Sequence, residues 1–169
     1  MKVAKRFRWE AAHRLPWHEA ECKYLHGHSY RMMVEIEGDP TEDTPGGSSM
    51  LIDFKHVKRL VEPVVEQMDH ATIVADYDTE LQEAVSILDT KTYEMEVDST
   101  AENLAAHFAD HIGTEGYEVL RKHGADTIRV TLWETETCYA EVEKSVADYA
   151  DAGTVEAEEA EPTPEPISA

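Results

Sequence analysis

At 169 residues and 19.1 kDa the chain fits one domain, long enough to bury its own core without disulfides. A mean hydropathy of -0.51 with no run near the ~20 apolar residues of a spanning helix excludes a membrane protein. Residues 1–9 alternate charged and apolar side chains where a secretory signal would be apolar, so the expected compartment is the cytoplasm. Thirty-six acids against fifteen Lys and Arg give a net charge of -21, which argues against general nucleic-acid binding and suits salt-rich surroundings.

Residues 3–13 alternate, with Val3, Phe7, Trp9, Ala11 and His13 on one side and Arg6, Arg8 and Glu10 on the other, the period of a strand; Lys5 is the misfit. Residues 1–31 hold seven bases and three acids, a balance of +4, so the other 138 residues carry -25. Such a local positive field steers an anionic ligand such as a phosphate ester; chance placement on an edge strand is the plainer reading. Residues 26–37 alternate again, with His26, His28, Tyr30, Met32, Val34 and Ile36 facing one way. After a loop containing Pro40, Pro45, Gly46 and Gly47, Asp53 can cap a helix with the apolar stripe Phe54, Val57, Leu60, Val61, Val64, Val65 and Met68, which Pro63 is expected to kink or divide.

Residues 71–98 show no firm pattern. Ser99 with Glu102 forms a capping-box signature for a second helix carrying Leu104, Ala105, Phe108 and Ile112, with Gly113 as its expected end and a short helical piece around residues 117–121. Residues 127–134 and 138–143 alternate as two strands joined by a hairpin through Thr135–Thr137, which places Cys138 in the core. The order strand, strand, helix, helix, strand, strand reads as an α+β sheet with helices on one face. From Asp151 the composition turns to six acids, no bases and Pro162, Pro164 and Pro166, too little apolar surface to order itself. Residues 1–150 are therefore the domain and 151–169 a disordered acidic tail.

On a strand, His26-Gly27-His28 puts two imidazoles on one side, and His13 ends the first strand on its apolar face. If those ends meet, three neutral histidines form the ligand set of a catalytic zinc with one position open; taken singly, each is as readily a satisfied core histidine. His18, His56, His107, His111 and His123 lack such placement and read as surface residues. Cys22, four residues before His26 and beside Lys23, suits a general base or nucleophile; a fourth metal ligand or a plain buried thiol is the alternative. Asp69-His70 is either a polar helix end or a proton-shuttling pair. Glu134 occupies the apolar phase of its strand, so it faces a buried base or a ligand with paired N–H donors, unless the strand has already ended and it is solvated.

The set His13, Cys22-Lys-Tyr-Leu-His26-Gly-His28, Asp53-Phe54, Asp69-His70, Ser99-Thr-Ala-Glu-Asn103 and Trp133-Glu134-Thr135 resembles the 6-pyruvoyl-tetrahydropterin synthase superfamily over nearly all of residues 1–150. The Cys-x-x-x-His-Gly-His spacing resembles its 6-carboxy-5,6,7,8-tetrahydropterin synthase branch. The resemblance implies a tunnelling fold: a four-stranded antiparallel sheet and two helices per subunit, oligomerising into a barrel, as trimers stacked into homo-hexamers. It implies Zn2+ on His13, His26 and His28, Cys22 as general base, and Asp69 and His70 as a second proton-transferring pair from a neighbouring chain. Glu134 would anchor the pterin ring of 7,8-dihydroneopterin triphosphate, with Lys23 and Arg14 at the triphosphate. The implied products are 6-carboxy-5,6,7,8-tetrahydropterin, acetaldehyde and triphosphate, on the route to 7-deazaguanine bases such as queuosine or archaeosine. Three features depart from the family pattern: Ala-Thr-Ile-Val follows Asp69-His70, the stretch to Ser99 is long, and Ser99 stands where a proline is common. Glu21 beside Cys22 keeps open a dihydroneopterin-cleaving relative, a 6-pyruvoyl synthase is the other enzymatic alternative, and a closed four-ligand site with Cys22 keeps open a non-catalytic zinc-stabilised binding module.

Overall fold

The computed structural model describes residues 1–42 and 49–151. Pro45, Gly46 and Gly47 and all of the expected tail beyond Asp151 lie outside the described residues. Four of the strands follow the alternation that predicted them: β1 (Lys2–His13), β2 (His26–Gly38), β5 (Ala125–Trp133) and β6 (Tyr139–Ser145). They pair antiparallel in the sequence β1-β2-β5-β6, and β1 meets β2 in one unbroken register from Lys2↔Glu37 to His13↔His26.

The sheet is larger than the four antiparallel strands expected, and it is mixed. Beyond β1 it continues through β3 (Ala71–Ala75) and β4 (Thr92–Met95), each parallel to its neighbour, for six strands ordered β4-β3-β1-β2-β5-β6. Every residue of β3 is buried, so no polar-apolar alternation marks it in sequence. Helix α2 (Thr79–Leu88) links the two parallel strands, as a parallel connection requires a crossover. Ile73 joins the main core while its neighbour Val74 packs with Leu81 and Val85 of α2; successive strand residues face opposite sides, so α2 covers the other face. Two helices on one face was therefore an incomplete expectation: three α-helices are present among the described residues, on two faces.

The main core lies between the sheet and helices α1 (Phe54–Met68) and α3 (Ala101–Lys122), around Trp9, Tyr30, Met32, Ile128 and Val130 from the strands and Met68, Leu104 and Phe108 from the helices. Asp53 caps α1 as expected, accepting from the Lys55 amide at 2.8 Å. Pro63 does not divide the helix, because Val57, Val61, Val64, Val65 and Met68 are buried on both sides of it and outweigh one lost backbone donor. The cap of α3 is Thr100, whose hydroxyl accepts from the Asn103 amide at 3.2 Å; Ser99, the expected cap, is buried and turned to the site described below. Nor does α3 end at Gly113. The glycine admits the Tyr149 ring instead, since a Cβ there would lie 2.2 Å from its Cε2, and Gly116 similarly admits Leu60 at 2.8 Å. Cys138 is exposed, in the β5–β6 turn and not in the core, because β6 begins one residue later. No helix among the described residues is long and apolar enough to cross a membrane.

Candidate metal centre and active site

The β1–β2 register puts His13 directly opposite His26, and His28 follows two residues along on the same face. The ring centroids of His13 lie 4.6 Å from His26 and 5.1 Å from His28, and those of His26 and His28 are 4.8 Å apart. One nitrogen from each ring falls within 4.8 Å of the others, so the three can hold a metal ion. Cys22 is not a member of this ligand group, which leaves three protein donors, the number found in catalytic zinc sites that keep one position open.

The ring orientations are fixed from behind. His13 Nδ1 donates to the Ser99 carbonyl at 2.9 Å, with the Ser99 hydroxyl at 3.2 Å, and His26 Nδ1 donates to the Tyr24 carbonyl at 2.7 Å. A carbonyl only accepts, so in the neutral ring the lone pair sits on Nε2, the arrangement that second-shell carbonyls impose on metal-bound imidazoles. Burial, with the neighbouring histidines, lowers the His13 pKa to about 4, and burial lowers that of His28. Burial thus favours the neutral form that a metal ligand needs in both rings, and both Nε2 atoms are buried without a hydrogen-bond partner. Unpartnered ring nitrogens gathered at one point fit a divalent cation.

Glu134 follows β5 on the row of Ile128, Val130 and Leu132 and brings Oε1 to 3.3 Å from His13 Nε2 and 3.7 Å from His28 Nε2. Burial raises its pKa. No Lys or Arg pairs with it among the described residues, so of the alternatives raised by its position a buried Lys or Arg partner is removed. Cys22 sits half-buried in a short 3-10 turn, Glu21–Lys23, whose Cys22 carbonyl accepts from the Leu15 amide at 2.8 Å. Lys23 is exposed, with Nζ 5.0 Å from the Tyr24 ring centroid. Arg14 is committed elsewhere: its guanidinium forks onto Asp78, with Nε at 2.7 Å from Oδ2, and reaches Glu80 at 3.2 Å. Its charge is compensated by two carboxylates, and it ties the end of β1 to the start of α2.

Asp69 caps the C-terminus of α1, and His70 adopts the left-handed conformation at φ 60°. Glu10 clamps the pair, its amide donating to Asp69 Oδ1 at 3.0 Å and its carbonyl accepting from the His70 amide at 2.6 Å. Lys91 Nζ adds bonds to the Glu66 and Asp69 carbonyls at 2.6 and 2.8 Å. Asp69 Oδ2 lies 3.0 Å from His70 Nδ1, and the Glu10 amide is the main cause of the lowered Asp69 pKa. No hydrogen bond or ion pair among the described residues joins this pair to the three histidines, but His70 and His28 line one cavity of about 380 Å³ with Glu10, Ala12, Gly27 and Thr72.

Sequence reasoning missed Ser99 as the partner of His13, because its capping signature hid it. Of the histidines set aside as surface residues, His123 is buried and donates Nδ1 to the Leu51 carbonyl at 3.0 Å, while His107 lies 2.7 Å from the Tyr93 hydroxyl.

Comparison with known proteins gives the family. The model of the 6-pyruvoyl tetrahydropterin synthase family matches residues 2–145. The protein of Haemophilus influenzae named 6-carboxy-5,6,7,8-tetrahydropterin synthase is 31% identical over 147 residues, covering 85% of this chain and 99% of its own length. The protein of that name from Rickettsia bellii is 31% identical over 144 residues, covering 84% and 99%. Among solved structures, a 6-pyruvoyltetrahydropterin synthase of Plasmodium vivax superposes with a TM-score of 0.69 at 18% identity, over 86% of this chain and 98% of that one. The chain belongs to the 6-pyruvoyl tetrahydropterin synthase family.

Proposed function

We propose that this chain is a zinc-dependent 6-carboxy-5,6,7,8-tetrahydropterin synthase. It converts 7,8-dihydroneopterin triphosphate and water to 6-carboxy-5,6,7,8-tetrahydropterin, acetaldehyde and triphosphate, on the route to 7-deazaguanine bases. The observation that carries the reading is the convergence of the His13, His26 and His28 lone pairs beside Glu134 in a chain whose relatives bear that name. Bound zinc would supply Lewis-acid polarisation of the substrate side chain.

The chain's own residues do the rest. Glu134 receives the paired N–H groups of the pterin edge, a bidentate charge-assisted contact. Cys22 removes the proton from the side-chain carbon, and Asp69 orients His70 for the second proton transfer across the subunit boundary of a homo-hexamer. Lys23 meets the triphosphate; Arg14, already paired with Asp78 and Glu80, is left out of that contact. The acid excess reads as adaptation of a cytoplasmic protein to high salt. A side-chain-cleaving activity is the second reading, favoured by Glu21 beside Cys22 in the same turn.

Zinc content and turnover of Cys22→Ala test the assignment. An open catalytic site keeps its zinc and loses turnover by at least a hundredfold, in the range that general base removal costs. Loss of zinc and of thermal stability together would make Cys22 a structural ligand and the protein a binding module.

A further inference from the structure

The hydrogen bond that orients His13 joins two segments that share no element. His13 is the last residue of β1, and Ser99 lies in the connection between Met95, where β4 ends, and Ala101, where α3 begins. Neither a sheet ladder nor a helix fixes the direction of a carbonyl in that connection, so side-chain contacts must set it.

The residues next to the two partners supply those contacts, and they share one anchor. Arg14, beside His13, forks onto Asp78, with Nε 2.7 Å from Oδ2. Asp98, beside Ser99, accepts a hydrogen bond from the Tyr77 hydroxyl on Oδ1. Tyr77 and Asp78 are consecutive, so one turn grips both sides of the His13–Ser99 contact. The turn is itself held. The Asp76 amide donates to the Met95 carbonyl at 2.8 Å, the Asp78 amide donates to the Ala75 carbonyl at 2.9 Å, and Asp78 Oδ1 accepts from the Leu81 amide at 3.2 Å. Asn103 Nδ2 donates to the Asp98 carbonyl at 2.9 Å, and Thr100, on the other side of Ser99, caps α3. Packing does not account for the Tyr77 hydroxyl: the side chain is 50% exposed and belongs to neither apolar core.

We propose that Tyr77 is a positioning residue for the metal centre. Through Asp98 it fixes the Ser99 carbonyl that orients His13, while Asp78 fixes Arg14 on the other side. The inference rests on the proposed zinc site. It gives residues 76–78, within a stretch that shows no pattern in sequence, the task of setting one zinc ligand.

The test uses the full chain and its Tyr77→Phe, Asp98→Asn and Asp98→Ala variants. Three quantities are measured: zinc affinity by competition with a chelating dye, the visible spectrum of the cobalt(II) form, and the melting point of the metal-free protein. Groups bonded directly to a metal-bound imidazole are worth about 10–100-fold in metal affinity, and Tyr77 acts one residue further out, so Tyr77→Phe lowers zinc affinity about three- to tenfold. The cobalt bands shift, and the metal-free melting point stays within about 2 °C of the parent. Asp98→Ala behaves in the same way, and Asp98→Asn, which keeps an acceptor oxygen, retains the parent affinity. Tyr77→Phe combined with Asp98→Ala binds zinc no more weakly than either alone, because both remove one bond. Unchanged affinity in Tyr77→Phe, losses that add in the double variant, or a metal-free melting point several degrees lower overturns the inference. If the parent binds no zinc, the proposed function fails and this inference fails with it; if the parent binds zinc and Tyr77→Phe binds it equally well, this inference fails alone.

Discussion

Replacing Gly113 by Ala sets two effects of opposite sign against each other. Gly113 lies inside α3, and Ala is favoured over Gly in a helix interior by about 1 kcal/mol. A Cβ there would meet the Tyr149 ring at 2.2–2.4 Å, contacts that only displacement of the ring relieves. Displacement also breaks the Tyr149 hydroxyl's bond to Asp110 at 2.6 Å and loosens the turn Val146–Tyr149 that closes the domain against α3. Overpacking of this kind costs about 1–3 kcal/mol, and the lost hydrogen bond about 1 kcal/mol more. The expected net effect is a destabilisation of about 1–3 kcal/mol, seen as a melting point lower by about 2–10 °C for a domain of this size. The same substitution in a Tyr149→Ala background, where no ring is met, stabilises by up to about 1 kcal/mol. Chemical denaturation of the four proteins measures the sign change. Stabilisation by Gly113→Ala in the unsubstituted background would refute the packing argument, since the ring would then yield at no cost.

Two further outcomes test the site and its support. Zinc at a hundred times its Kd stabilises a protein that binds it only when folded by about 2.7 kcal/mol, or roughly 5–10 °C in melting point here. His26→Ala removes that shift, and an undiminished shift in the variant would remove His26 from the ligand set. The pairing of Asp78 with Arg14 holds the Asp78 carboxyl below its ordinary range. A folded pKa depressed in this way contributes stability above the unfolded value near 3.9 and loses it as pH falls through the folded value. Arg14→Met is therefore less stable than the parent at neutral pH, and the gap narrows below about pH 4. Urea denaturation at a series of pH values measures it; a gap constant with pH contradicts the pairing.

The strands that sequence made legible are those with one dry and one wet face. β1, β2, β5 and β6 alternate because a solvated row separates their buried residues, and that alternation also set His13, His26 and His28 on one side before any register was known. β3 was illegible because burial on both faces erases the period, and α2 because only Leu81 and Val85 mark its buried side. Gly113 reads as a helix end when only the local chain is considered; its actual partner, Tyr149, is 36 positions away. Ser99 supports His13 across 86 positions and Arg14 meets Asp78 across 64, distances at which side-chain partnerships leave no local pattern. The three-histidine group was thus readable from the strand period once the two strand ends are brought together, while the groups that orient it were readable only from the fold.

The most direct test of the account is mass spectrometry of the products formed when zinc-loaded protein, kept in high salt, meets 7,8-dihydroneopterin triphosphate. The account predicts 6-carboxy-5,6,7,8-tetrahydropterin with acetaldehyde and triphosphate, and no product from Glu134→Ala. A 6-pyruvoyl product, or glycolaldehyde triphosphate with a hydroxymethyl pterin, would contradict the proposed reaction while keeping the site, and no turnover by protein that holds its zinc would contradict the proposed enzyme.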